Sequence, residues 1–219
     1  MFPARTPWIR ANPSRTEPLS TWHGCLQRIK ILKQLFFWLR LVAATLPSLL
    51  FLLLLWRLLG ELVPELAMRR LLLASYAIGT MAFTYGTLLI AHQLSSLLLA
   101  TAFILVFFHR RGRGGGGGLY LAGLAAGGGV LVDYQVAFIG PPLAVYLFWA
   151  AARRAQAPLW SWRTARGVLL FGLGAAVPLA ILMHYQWVCF GSPWKTGYHY
   201  LTNPVFQTWH SQGLLGLGG

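Results

Sequence analysis

The sequence predicts an all-α, polytopic transmembrane helix bundle of about six spans, some of them short or broken. Two observations carry this. First, 57% of the 219 residues are hydrophobic and only 10% are charged, with mean hydropathy +0.59. A water-facing domain carries about 25% charged residues, so too little charge is available to cover a solvated surface. Second, the 18 Lys and Arg against 4 Asp and Glu, a net +14, are not spread evenly. They gather between apolar runs at Arg69-Arg70, Arg110–Arg113 and Arg153–Arg166. This is the pattern of cytoplasmic loops under the positive-inside rule. Nucleic-acid binding is excluded, because no basic stretch is interleaved with aromatics on a soluble scaffold. Cys25 and Cys189 are too few for a disulfide framework and lack metal-ligand spacing.

Three regions follow: a basic, Pro-containing tail over 1–35, the bundle over 36–190, and an aromatic, Gly-rich segment over 191–219. Pro3, Pro7, Pro13 and Pro18 interrupt the tail, and its first long apolar run begins only near Leu41, so a cleavable signal is not expected. Residues 26–40 mix cations with Leu, Ile, Phe and Trp, which suits an interfacial amphipathic helix or a poorly ordered extension. The first span is expected at 41–59, with Pro47 as a tolerated kink. Glu61 and Glu65 then read as solvated surface charges.

From Leu71 to Phe108 the chain stays apolar for too long to be one span, and Gly79-Thr80 and Thr84–Thr87 interrupt it. Two helices are expected, near 70–83 and 88–108, the second opening with His92, Gln93, Ser95 and Ser96 turned inward. The run Gly114–Gly118 lacks the Lys-Ser/Thr of a phosphate-cradling loop and reads as a flexible linker. A hairpin follows at 119–132 and 136–152, broken at Asp133-Tyr134-Gln135. Gly123, Gly127, Gly128 and Gly129 give the small-residue spacing that lets helices approach closely in lipid. Pro141-Pro142 is expected to distort the second arm, and the last span is expected at 167–188. The basic connections then share the cytoplasmic face, while the turns near Tyr85 and Asp133 and the tail after Cys189 share the other. Arg28, Lys30, Lys33 and Arg40 conflict with this scheme, since they precede the first span from the outer side.

With so few acids, Asp133 is informative: it is either a functional carboxylate at a membrane boundary or a cap for the next helix. His92 is either a ligand contact or an interior hydrogen-bonding group. No HExxH, paired-cysteine or G-x-S-x-G pattern occurs, so neither a metal nor a serine hydrolase is expected, and no cofactor is. The richest polar cluster is YQWVCFGSPWKTGYHY at 185–200. Trp187, Trp194, Tyr198 and Tyr200 suit an aromatic belt at the membrane boundary. Alternatively, Lys195 among those rings could hold a lipid phosphate while the rings stack on a sugar.

That segment, followed by Asn203-Pro204 and Gln212–Gly216, resembles bacterial membrane glycosyltransferases of the C superfamily, most closely relatives of the protein mannosyltransferases. Gly79-Thr80, Tyr85, His92-Gln93 and LAGLAAGGGVLVDY at 121–134 are similar to the family's central helices. The resemblance implies a multi-pass protein of a bacterial inner membrane that takes a sugar from a polyprenyl-phosphate carrier on the exoplasmic face. It implies carrier or sugar contacts by Tyr85, His92, Lys195, Tyr198 and Tyr200. The family's general base is a carboxylate on an early exoplasmic loop; residues 1–35 hold only Glu17, so a shortened relative or central fragment is expected, with Asp133 as the remaining candidate. The rival expectation is a non-catalytic membrane protein, either a transporter fragment or an assembly partner.

Overall fold

A computed structural model describes residues 19–88 and 90–200, the side chains of 19–27, 198 and 199 excepted. Among these residues every regular element is helical, and no strand occurs. Helix α1 (Leu19–Arg40) passes through a single π-turn at Leu41–Thr45 into α2 (Leu46–Leu62). Pro47 explains the turn. Its ring would strike the carbonyl four residues back and it donates no N–H, and a widened turn just before it relieves that crowding. The Leu46 N–H accordingly reaches back five residues to the Leu41 carbonyl. The stretch expected as either an interfacial helix or a loose extension is therefore helix throughout, continuous with the first span.

Helices α3 (Leu66–Gly79) and α4 (Ala82–Thr87) are separated at Thr80. The Thr80 hydroxyl donates to the Tyr76 carbonyl at 2.7 Å and accepts from the Ala82 N–H at 3.2 Å. The turn expected around Tyr85 is thus a short helix, with breaks on either side of it. Then come α5 (His92–Arg110), α6 (Gly116–Val132), α7 (Gly140–Ala155) and α8 (Trp162–Phe190), with 3-10 turns at Tyr134–Ile139 and Gly197–Tyr200.

Three local expectations are corrected. Gly116–Gly118 form the first turn of α6, leaving only Gly114 and Gly115 of the glycine run as linker. Pro141 and Pro142 do not distort α7 but open it, where a missing N–H costs nothing. Arg163 and Arg166 lie in α8 and not in the preceding loop, because Ser161 caps that helix by accepting the Thr164 N–H at 3.2 Å.

Four stretches are long and apolar enough to cross a membrane: Arg28–Leu62, His92–Arg110, Tyr134–Ala155 and Trp162–Phe190. Helix α6 is apolar but has 17 residues, and α3 has 14. The six expected runs thus resolve into four full-length and two short helices, and the chain is read as an integral membrane protein.

Helices α6 and α8 run parallel and pack backbone against backbone. A Cβ on Gly123 would lie 1.9 Å from the Phe171 carbonyl oxygen, and one on Gly174 2.1 Å from that of Tyr120. The Pro178 ring lies over Gly127. The small-residue spacing in α6 is therefore a true helix–helix seam. Val106, Leu119, Ala122, Leu147 and Ala150 form the buried core beside it, contributed by α5, α6 and α7.

Candidate functional site

The bundle has two chemically distinct ends. At one, Glu61 at the end of α2 accepts from Arg111 Nη1 at 2.5 Å through Oε2, and from Arg113 through Oε1. Arg110 stacks on Trp149 at 4.5 Å and Arg57 on Phe108 at 5.6 Å. Glu61 is thus a surface charge that is paired rather than free; it fastens the loop after α5 to the end of α2. The basic connections meet at this end, which the positive-inside rule assigns to the cytoplasm.

The opposite end carries the acid–imidazole chemistry. Asp133 follows α6, and its Oδ1 accepts the Gln135 N–H at 3.0 Å, capping the 3-10 turn. Its Oδ2 lies 3.0 Å from Nδ1 of His92, the first residue of α5. Asp133 is only 14% exposed at its side chain, whereas His92 is 48% exposed. A carboxylate only accepts, so this contact is a hydrogen bond when the ring proton sits on Nδ1, the tautomer whose Nε2 keeps its lone pair. Tyr85 meets the imidazole edge-on, with centroids 5.5 Å apart and planes at 80°.

Two polar side chains hold Tyr85 there. Thr45, in the π-turn, donates to the Gly86 carbonyl at 3.2 Å. Gln93, 5% exposed, donates to the Ala82 carbonyl at 3.0 Å. Both bonds tie α4 to its neighbours. Beside them lies a mostly apolar cavity of about 340 Å³, whose wall includes Thr45, Ser48, Gly86 and Gln93. The stacked pair Phe51–Tyr76 borders both it and a second apolar cavity of about 540 Å³ between α2, α3, α5 and α7.

Of the residues singled out in the sequence, Tyr85, His92 and Asp133 converge. Lys195 and Trp194 are exposed after α8, which reaches the same end because it runs parallel to α6. Tyr200 stacks on Phe190 at 5.1 Å. Among the described residues no hydrogen bond, ion pair or ring contact joins Lys195 or Tyr200 to the Tyr85–His92–Asp133 group. The Tyr198 side chain, and residues 203–216 of the resemblance, lie outside the described residues. No three His, Cys, Asp or Glu side chains gather as a metal site among the described residues. Sequence reasoning missed Thr45 as a tether; a Thr two residues before a membrane proline was the only available signal.

No protein-family model matches the chain, and no match was found among curated proteins or among solved structures.

Proposed function

We propose that the chain is a glycosyltransferase-like membrane protein, acting on a polyprenyl-phosphate-linked sugar at the end that bears His92 and Asp133. One observation carries this reading: a mostly buried carboxylate stands 3.0 Å behind an exposed imidazole. That arrangement fixes the tautomer and leaves Nε2 as a general base toward the outer side. In the step proposed, Nε2 takes the proton of an acceptor hydroxyl as its oxygen bonds to the anomeric carbon. The bond from that carbon to the carrier phosphate breaks, and the phosphate leaves with the bonding pair. Lys195 would neutralise that phosphate, with Trp194 and Tyr200 as stacking surfaces for the sugar. The apolar cavity under α4 offers room for part of an isoprenoid tail.

The test is turnover of polyprenyl-phosphate hexoses by the protein in liposomes, read as label leaving the lipid for an acceptor or for water. The wild type is expected to consume at least one hexose donor. His92→Ala and Asp133→Asn are expected to slow it by about 10²-fold or more, and Lys195→Ala to weaken carrier binding. Turnover unchanged in the His92 and Asp133 variants, or no consumption of any hexose donor, would overturn the reading. The second reading, a non-catalytic membrane protein, is favoured by one fact: Asp133 Oδ1 already serves as a structural cap.

A further inference from the structure

The cytoplasmic end holds a second feature that the proposed activity does not use. A cavity of about 300 Å³ opens where α5, α6, α7 and α8 meet. His109, Arg154, Arg163 and Arg166 stand on its wall, and Leu119 and Leu170 form its apolar floor. Among the described residues the ion pairs are His92–Asp133 and those of Glu61 with Arg111 and Arg113. None involves Arg154, Arg163 or Arg166, and the Glu61 carboxylate is committed elsewhere. Three exposed guanidinium groups therefore share the wall of one concavity with no carboxylate among the described residues paired to them, an arrangement that concentrates positive potential and favours an anion.

An independent observation points the same way. His109 Nδ1 is the one buried side-chain polar atom without a hydrogen-bond partner among the described residues. Buried polar atoms are almost always partnered, and the His109 ring that carries this one lines the cavity. Gly116 lines the cavity, and a Cβ there would fall 2.8 Å from Leu170 Cδ1, so a side chain at this position must displace that methyl group. Gly112 sits in the left-handed region at φ 84°, and a Cβ there would fall 2.9 Å from Arg154 Nη1. The level in the membrane is marked by Trp160 and Trp162, 97% and 73% exposed at the start of α8, which suit the headgroup layer.

We infer that this cavity is a binding site for a phosphate group at the cytoplasmic surface, held by Arg154, Arg163 and Arg166 and completed by the His109 imidazole. Guanidinium forks match phosphate oxygens two at a time, and basic pockets between membrane helices on this side suit anionic headgroups. The same chemistry would take the head of an anionic lipid or a free phosphate.

Calorimetric titration of the full-length protein in neutral detergent separates the two sources, with dihexanoyl-phosphatidylglycerol as one probe and inorganic phosphate as the other. Saturable binding of either probe is expected, weakened tenfold or more in Arg154→Gln/Arg163→Gln/Arg166→Gln. Tighter binding of the lipid, competed by inorganic phosphate, identifies the headgroup as the source. Equal or tighter binding of inorganic phosphate identifies the free ion. A charge-matched control, Arg28→Gln/Lys30→Gln/Lys33→Gln on α1, is expected to bind as the wild type does. Gly116→Leu puts bulk on the cavity wall without removing a charge and is expected to cause a similar loss, so it decides the matter if the triple variant does not fold. Absence of saturable binding by the wild type, unchanged affinity in folded Arg or Gly116 variants, or an equal loss in the α1 control would overturn the assignment.

Discussion

Helices α6 and α8 on one side, and α2, α3 and α4 on the other, show two ways of holding helices together in lipid. Along the first pair, glycines bring one backbone to within van der Waals reach of the next at Gly123, Gly127 and Gly174. Along the second group, large side chains keep the helices apart. No residue of α3 is buried, α4 hangs on hydrogen bonds from Thr45 and Gln93, and cavities of about 340 and 540 Å³ remain beside Phe51 and Tyr76. Inside a bilayer, apolar side chains gain little by leaving lipid for protein, so close packing rather than hydrophobicity sets which helices adhere. The difference teaches that the α6–α8 pair is the rigid part of the molecule, and that the acid–imidazole site joins that part (Asp133) to the looser one (Tyr85).

Adding one methyl group at different glycines breaks this contrast most directly. Gly123→Ala or Gly174→Ala must push apart two backbones that cannot yield, and is expected to cost about 3 kcal/mol or more, read as a lowered melting temperature in detergent. Gly86→Ala, in the looser part, meets the Ser48 hydroxyl at 2.8 Å. That hydroxyl can rotate away at the cost of its bond to the Ala44 carbonyl, so about 1 kcal/mol is expected. Thr45→Val removes the tether to Gly86 and is expected to cost about 0.6 kcal/mol, a typical value for one such bond in a membrane. Its clearer signature is faster hydrogen exchange at 82–87 with none at the α6–α8 seam. Gly172→Ala lies on the open side of α8 with nothing within 4 Å. It is expected to stabilise by a few tenths of a kcal/mol, since alanine holds a helix better than glycine. A large loss at Gly86 or a negligible one at Gly123 would reverse the comparison.

Much of the fold was legible because each apolar run had to satisfy its backbone as helix. The interruptions at Gly79-Thr80 and Asp133 were visible as small or polar residues among apolar ones. What escaped were features set by phase or by distant partners. Pro141-Pro142 reads as a distortion until the helix start is known to coincide with it. Ser161 was a readable cap, yet the arginines after it argued for a loop, and the long side chains that reach the headgroups from inside a helix outweighed that argument. Glu61 looked solvated because its partners, Arg111 and Arg113, lie about 50 residues further along. At the candidate site, the sequence named Tyr85, His92 and Asp133 separately. That His92 and Asp133 touch depends on α5 and α6 packing antiparallel across 41 residues of chain, which no local pattern encodes. Lys195 rests on residue type and a resemblance alone.

The widened turn at Leu41–Thr45 has an effect at a distance. One surplus residue advances a helix by about 100° around its axis, so everything from Leu19 to Arg40 is swivelled by roughly that angle against the helix that follows. The cations and the aromatic trio Phe36, Phe37 and Trp38 thereby point along a compass bearing of their own, chosen independently of the side of α2 that meets α5. A single-residue deletion there would leave the composition of every segment intact and still aim that cluster a quarter-turn away.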